Sequence, residues 1–592
     1  MFTTARVTSP PRSRIAAIAL GCALSLATFA GISAYAGKKN DEQARLFAKQ
    51  IPGAERITQA LNRLTFGARP GDAAAVRSMG LKKWIAAQLN PDSIPENPVL
   101  TDKLKTLDTL AMSAEELVKN YPTPQMVKQM VAGQMPFPTD PNRRMMIERL
   151  VVKAEKKQGQ GDQVNPDAPQ AQPLADVLSR EEIRALRTGT PEQRRAAFQS
   201  LPKDKQDDVI AAMAPGMRQG LFQNASPEVR RKIVMANGPA QVVARDLMES
   251  KLLRAVYSNR QLSEVLDDFW FNHFNVFLDK GADRYLITEY ERDVIRPHVL
   301  GKFRELLEAT AKSPAMLFYL DNWQSVGPNA PQPRADAKKG RRGLNENYGR
   351  ELLELHTLGV DGGYTQKDVT EVARCFTGWT ILQPQRGGAF SFNKRTHDSG
   401  EKVVLGVTIP AGGGIEDGEK VLDIVAHHPA TARFVSTKLA QRFVADEPPA
   451  TLIDRMAQTF LKTDGDLKAV MRTMIDSKEF WSEGAYRTKM KSPLEMVASA
   501  VRAVNGDIDY AFPLANQIAQ LGQPLYRKQE PTGYSNSSRE WMNSGGLLAR
   551  MNFALQLTND KVPGVKVDMA KVTKPSDPTS GIALGSPDFQ KK

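Results

Sequence analysis

Residues 241–277, QVVARDLMESKLLRAVYSNRQLSEVLDDFWFNHFNVF, carry apolar side chains at helical spacing. Leu262, Val265, Leu266 and Phe269 fall at i, i+3, i+4 and i+7, the mark of a helix with one buried face. The pattern runs on to Leu320 and returns over Asn345–Thr380, Gly418–Ala445, Ala450–Ser477 and Ser492–Val504. Upstream, Glu55–Asn90 reads as short helices joined by Gly and Pro turns. Ser179-Arg180-Glu181-Glu182 and Thr190-Pro191-Glu192-Gln193 are capping boxes, and Ser226-Pro227-Glu228 puts proline at a first helical position. Strand-like sequence is scarce. Its clearest instance is Phe390–Phe392 with Lys402–Ile409, expected to form a hairpin around the Arg395–Gly400 loop. The expected fold class is mainly α, a multi-helix globular protein with a small β-hairpin insertion.

The N-terminus reads as an export leader. Arg6, Arg12 and Arg14 precede an uncharged stretch, Ile15–Ala36, that ends in Ala34-Tyr35-Ala36: a basic region, an apolar region and a small-residue cleavage site. A retained anchor and lipidation at Cys22 are the alternatives. The separated arginines do not make a twin-arginine signal. No other stretch approaches a membrane span, so a periplasmic or secreted location follows. Beyond the leader one cysteine, Cys375, remains, so no intramolecular disulfide can form and the apolar core must hold the fold. Six segments are expected: a signal peptide (1–36), an N-terminal helical part (37–155), a Gln/Gly/Pro-rich linker (156–175), a helical spacer or interaction segment (176–240), a main helical domain (241–560) and a disordered tail (561–592).

The formal charge is +14, and loss of the leader's three arginines leaves +11. The basic residues are dispersed, and no zinc-finger spacing or RNA-binding signature occurs, so nucleic acid is not an expected partner. An anionic polysaccharide, or lipopolysaccharide, suits the charge and the export route.

The densest polar constellation is Asn345-Glu346-Asn347-Tyr348-Gly349-Arg350-Glu351-Leu352-Leu353-Glu354-Leu355-His356-Thr357-Leu358-Gly359. On a regular helix Glu346, Asn347, Arg350, Glu351 and Glu354 share one arc, and His356 lies with the leucines opposite. That arc is either a solvated Glu-Arg-Glu ladder, worth tenths of a kcal/mol per pair, or a site in which crowded carboxylates raise one another's pKa or recruit a cation. His273 sits in an aromatic run, Trp270–Phe277, that reads as core interrupted by groups needing hydrogen-bond partners. His397-Asp398 lies in the expected hairpin loop, where the acid could fix the imidazole tautomer. His427-His428 reads as a helix cap, Asp368 as a capping residue, and Cys375 as buried packing. There is no GxSxG, HExxH, GxxxxGK[ST] or CxxCH.

Taken in order, Ala60–Gly67, Trp270–Phe274, Asn345–Gly359, Asp368–Trp379, His397-Asp398 and His428–Ala432 resemble the bacterial family called domain of unknown function 1800. The likeness runs from about Arg56 to Leu557, and the segment near 157–173 stands outside it. The resemblance implies an export signal, a helical make-up and genes beside those of a secreted sulfatase-like family, which would be a partner. It implies no reaction and transfers no catalytic residue.

Two functions of different class follow as expectations. One is an exported hydrolase acting on an envelope or extracellular polymer, with Glu351, Glu354, Arg350 and Asp398 as acid/base and orienting groups and His273, His356 and His397 as ligands of a divalent metal, Zn, Mn, Fe or Ca. The other is a non-enzymatic envelope or matrix scaffold that binds polysaccharide or an exported partner. The geometric expectation is that the three histidines, up to about 125 residues apart, meet in one polar pocket with Glu351 or Glu354. His356 and Glu354 differ by about 160° in phase, so their meeting requires the helix to end or bend near Thr357.

Overall fold

Two helices in the middle of the chain organise the molecule, α1 (Ala240–Tyr257) and α2 (Gln261–His273). The turn between them is locked by Gln261, whose amide donates to Ala255 O at 3.1 Å and Ser258 O at 2.9 Å. α2 has no capping side chain of its own, and the N–H of Leu262 donates instead to Gln88 Oε1 at 3.0 Å. This borrowed cap satisfies a helix-end donor from a distant segment. Almost every side chain of α2 is buried. The structure is a computed structural model and describes residues 42–157, 174–213, 218, 225–330, 343–542, 544–568 and 581–592. The leader and most of the Gln/Gly/Pro-rich linker lie outside the described residues.

Around this pair pack α3 (Asp283–Glu289), α4 (Phe303–Lys312), α5 (Asn347–Glu351), α6 (Gln366–Cys375), α7 (Glu416–Ala426), α8 (Pro429–Phe443) and α9 (Pro493–Ala503). The protein is mainly α, as its periodicity requires. Two helices do not end where their α-helical hydrogen bonding stops: α3 passes into a π-helical turn, Tyr290–Ile295, and α5 into another, Leu352–Thr357. In the second, Leu358 N donates to Leu353 O at 2.9 Å and Thr357 Oγ1 to Leu352 O at 2.5 Å. Such i to i+5 turns are rare and recur at functional sites.

The β structure differs from the expected hairpin. β1 (Trp379–Ile381) pairs with β2 (Phe390–Phe392), while β3 (Lys402–Val404) pairs with β4 (Val407–Ile409), both antiparallel. Phe390–Phe392 therefore does not pair with Lys402–Ile409. The reason is the Leu405-Gly406 turn, where φ is 48° and 77°. Two successive residues at positive φ make the tight turn that returns a strand on itself. Helix α6 fixes this hairpin: Val403 N donates to Glu371 Oε2 at 3.0 Å and Leu405 N to Asp368 Oδ1 at 2.8 Å.

Three hydrophobic cores result. The main one runs from Phe47 to Leu584 and holds α2, α4 and α9. A second joins Leu117, Tyr121, Val127 and Ile147 to Val242, Val243 and Tyr285. The capped helices Arg180–Arg187 and Pro191–Gln199, with Lys203–Ala212 and Pro227–Asn237, enclose a third, built on Leu186, Phe198, Leu201, Val209 and Ile233. The chain after residue 560 also differs from the expected disordered tail where it is described. β5 (Asp507–Ile508) pairs with β6 (Val565–Lys566), and Gly581–Gly585 and Pro587–Gln590 are short helices. Polar composition missed this because docking rests on backbone pairing and on Leu584, which is fully buried. Among the described residues no helix is long and apolar enough to cross a membrane.

Candidate functional site

Of the three histidines, the structure brings two together. His273, the last residue of α2, donates from Nε2 to the backbone oxygen of His356 at 3.0 Å, and their rings stand 6.3 Å apart. Both are buried in an aromatic box that includes Trp270, Phe274 and Phe434. Nε2 of His273 must carry the proton, since its partner is a carbonyl, which leaves His273 Nδ1 without a hydrogen-bond partner; His356 Nε2 also has none. Burial holds both rings far toward the neutral form, His356 down to about 3, and the nearby Lys438 ammonium acts in the same direction. Burial pulls Lys438 itself down to about 8.

The carboxylates of the same motif turn away from that pair. Glu354 accepts from Tyr364 Oη at 3.2 Å. Glu351 is pushed up by burial and then by the charge of Glu354. Arg350 reaches Glu346 at 3.4 Å and Gln366 Oε1 at 3.0 Å, and Glu346 also accepts from Thr370 Oγ1 at 2.7 Å. The Glu-Arg-Glu face is thus a half-buried seam between α5 and α6. The π-helical turn supplies the required irregularity before Thr357, yet Glu354 stays on the seam while His356 enters the core.

His397 and Asp398 lie elsewhere and serve different partners. His397 Nδ1 is 2.8 Å from Thr377 O, and Nε2 is 3.2 Å from Asp417 Oδ2, which also takes Lys402 Nζ at 2.6 Å. Asp398 accepts from Arg374 Nε at 2.8 Å and from Gly400 N at 2.9 Å. Burial would raise its pKa, but the Arg374 guanidinium holds it below the usual range. Arg374 in turn clamps Glu371 through Nη1 at 2.8 Å. These bonds tie the segment between β2 and β3 to α6, and Asp417 ties β3 to α7. The expected three-histidine metal centre with Glu351 or Glu354 is therefore not assembled: His397 is engaged between β2 and β3, and the acids point away from His273 and His356. Among the described residues no group of three or more His, Cys, Asp or Glu side chains is placed to hold a metal ion. His427 bonds Asp423 O and Asp464, and His428 caps α8 through Ala430 N at 3.2 Å.

A more concentrated charged site lies on another face of α2. Glu264, Asp267 and Asp268 meet Lys251 of α1, Arg296 beyond the first π-helical turn, and Arg442 of α8. Arg296 bonds Glu264 at 2.8 Å and Asp267 at 2.9 Å, Lys251 lies 3.0 Å from Glu291, and Arg442 bonds Asp268 at 3.2 Å. Tyr526 Oη donates to Glu291 Oε2 at 2.5 Å. Burial raises Asp267 well above the carboxylate range. The same burial would raise Glu291, but the Lys251 and Arg296 cations overcome it and the Tyr526 hydroxyl assists, leaving Glu291 at about 2. Two adjacent carboxyls are thus pushed in opposite directions, as acid/base sites require. Burial keeps the Tyr526 phenol protonated.

This network backs a half-open cavity of about 40 Å³ whose polar wall includes Lys251, Asp268, Asn272, Asn275, Arg442 and Tyr526. Asp268 is its one lining carboxylate. The asparagines of the Trp270–Phe277 run build the rim. Asn272 pairs with Tyr534 through both its amide nitrogen (2.7 Å) and oxygen (2.6 Å), and Asn275 holds Lys528 O and Glu530 O at 2.9 and 3.0 Å. The loop comes this close because residue 533 is glycine: its φ is +67°, and a Cβ there would stand 2.1 Å from Asn272 O. Sequence reading missed Lys251, Asp267, Asp268, Glu291, Arg296, Arg442 and Tyr526. The available signal was Glu264, Asp267 and Asp268 at i, i+3, i+4 on a helix otherwise too apolar to face solvent.

No curated protein and no solved structure matches the chain. Residues 59–587, which contain both charged networks, both π-helical turns and the cavity, match the family described as "Protein of unknown function (DUF1800)", and the chain belongs to that family.

Proposed function

We propose that the protein is an exported hydrolase acting on an envelope or extracellular polymer by acid/base chemistry at the Asp268 cavity. The observation that carries the reading is one lining carboxylate, Asp268, set beside two cations and a phenol that is itself bonded to Glu291 behind them. In this reading Asp268 takes a proton from the attacking water, Tyr526 supplies one to the leaving group, and the proton held by Asp268 then returns to the Tyr526 phenolate through water in the cavity that both line. Arg442 and Lys251 stabilise developing negative charge in a water-poor site. The amides of Asn272 and Asn275 already hold the rim loop, so they position rather than react. The leader supports export to the periplasm or beyond, and the basic chain suits an anionic polysaccharide.

The test is release of soluble fragments from purified cell-wall polysaccharide and from anionic exopolysaccharide. Asp268→Asn should lower the rate by about 100-fold or more, the scale of a lost general base, in protein whose circular dichroism shows it folded even though loss of the Arg442 partner lowers its melting temperature, and a chelator should leave the rate unchanged. Activity retained in Asp268→Asn ends this assignment.

One observation favours the scaffold reading instead: the cavity has room for about three water molecules, and its charges are already matched. If that reading holds, the wild-type protein cleaves no polymer at all.

A further inference from the structure

A second and larger cleft, about 400 Å³, opens between the helix Pro227–Asn237, α1 and the loop 508–511. Its volume falls in the range of small-molecule sites. The floor is apolar and buried, formed by Leu107, Val234, Val242, Leu253 and Ile508. Charged groups ring it, and most are already neutralised by one another. Arg231 bonds Asp246 at 2.7 Å, Arg230 bonds Asp509 at 2.6 Å and lies on the Tyr510 ring, and Glu228 faces Lys232 at 3.4 Å. Lys103 is taken by Asp507 at 2.9 Å and by Ile508 O at 2.6 Å. Arg245 lies over Phe512 and donates to Tyr510 Oη at 3.1 Å.

Glu249 is the exception. Its carboxylate accepts one bond, from Ala511 N at 3.2 Å, and among the described residues no cationic nitrogen comes within ion-pair distance. Burial, and then the charge of Asp246, push it up to about 7, against the weaker pull of Ala511 N–H, Arg230 and Arg245. A half-buried carboxyl facing an apolar cleft without a counter-ion is most readily satisfied by a cation that arrives with the ligand.

We propose that this cleft binds a small organic ammonium ion with an apolar body, the ammonium on Glu249 and the body on the Leu107–Val234–Leu253 floor. An anionic ligand fits poorly, because Arg230, Arg231 and Lys103 already hold carboxylates. The site is separate from the Asp268 cavity and does not depend on its chemistry.

Titration calorimetry of the full chain with phenethylammonium, and with 3-phenylpropanoate as the anionic counterpart of matching shape, tests the proposal. Phenethylammonium should bind and 3-phenylpropanoate should not. Glu249→Gln keeps an acceptor for Ala511 N–H and should weaken the ammonium by about tenfold or more, a change of 1.4 kcal/mol. Val234→Trp, which fills the floor, should abolish binding in a protein of unchanged circular dichroism, and it decides the matter if Glu249→Gln does not fold. Equal or tighter binding of the carboxylate, no binding of the ammonium, or full affinity in either folded variant overturns the proposal.

Discussion

His356 shows how one buried side chain sets a pH dependence. In the fold it is neutral and titrates at about 3, whereas in the unfolded chain it titrates near the ordinary 6.5. Between those values the unfolded state binds the extra proton, so stability rises with pH and is lost as pH falls below about 6.5. At pH 5 the loss is roughly 2 kcal/mol for one such group. Acids whose pKa the fold raises, Glu249 and Asp283 among them, act with the opposite sign, so the bare pH curve does not isolate the histidine. The difference between wild type and His356→Phe does. Urea unfolding at pH 5 and pH 7 should show the wild type losing about 2 kcal/mol more than the variant, and equal losses would mean that the ring is solvated. His397 is bonded at both nitrogens in the segment between β2 and β3, a placement that its expected loop position did not disclose, because a histidine's partners come from residues far along the chain.

At the scale of elements, local rules were legible and long-range ones were not. The capping boxes at Ser179, Thr190 and Thr365 form as their spacing requires, since cap and third residue meet within one turn. Asp368 shows the limit of that reading. It closes the Thr365 box, accepting Thr365 N at 2.8 Å, and its other oxygen holds Leu405 N at 2.8 Å, which ties α6 to the β3–β4 hairpin. Asp368→Ala should therefore cost about 2 kcal/mol, the upper end for a cap, and hydrogen exchange should quicken at Leu405 and Val403 as well as at the first turn of α6. Protection unchanged at Leu405 would reduce Asp368 to an ordinary cap. The π-helical turns were beyond sequence reading, because an i to i+5 bond is chosen by what the wider turn lets Tyr290 and His356 reach.

Across the whole molecule, the last described segment is part of the main core. Lys592 pairs with Glu495, which also takes Arg442 at 3.0 Å, and Gln590 accepts from Arg550 at 3.0 Å and from Lys491 N at 2.9 Å. Burial would raise Glu495, but Arg442 and Lys592 hold it far below the carboxylate range. Removing residues 581–592 leaves Glu495 short of one cation and exposes the surface over Leu584. Loss of one partner from a buried pair costs about 3–5 kcal/mol, so the truncated protein should melt roughly 5 °C lower or more. Scanning calorimetry decides this, and an unchanged transition would show that the segment merely rests on the surface.

The sequence by itself determined the helical class, the helix starts, the capping role of Asp368, and the motifs that mark the family. Those follow from contacts within a turn or from a period of 3.6 residues, which a chain displays before it folds. Tertiary structure alone decided which polar residues meet. It sent His397 to Thr377 and Asp417, turned Glu351 and Glu354 away from the His273–His356 pair, and gathered Lys251, Asp268, Glu291, Arg442 and Tyr526 from segments up to 275 residues apart. The physical reason is desolvation: a charge driven into the core by its apolar neighbours must be matched by whichever opposite charge the packing brings, and sequence separation has no part in that choice.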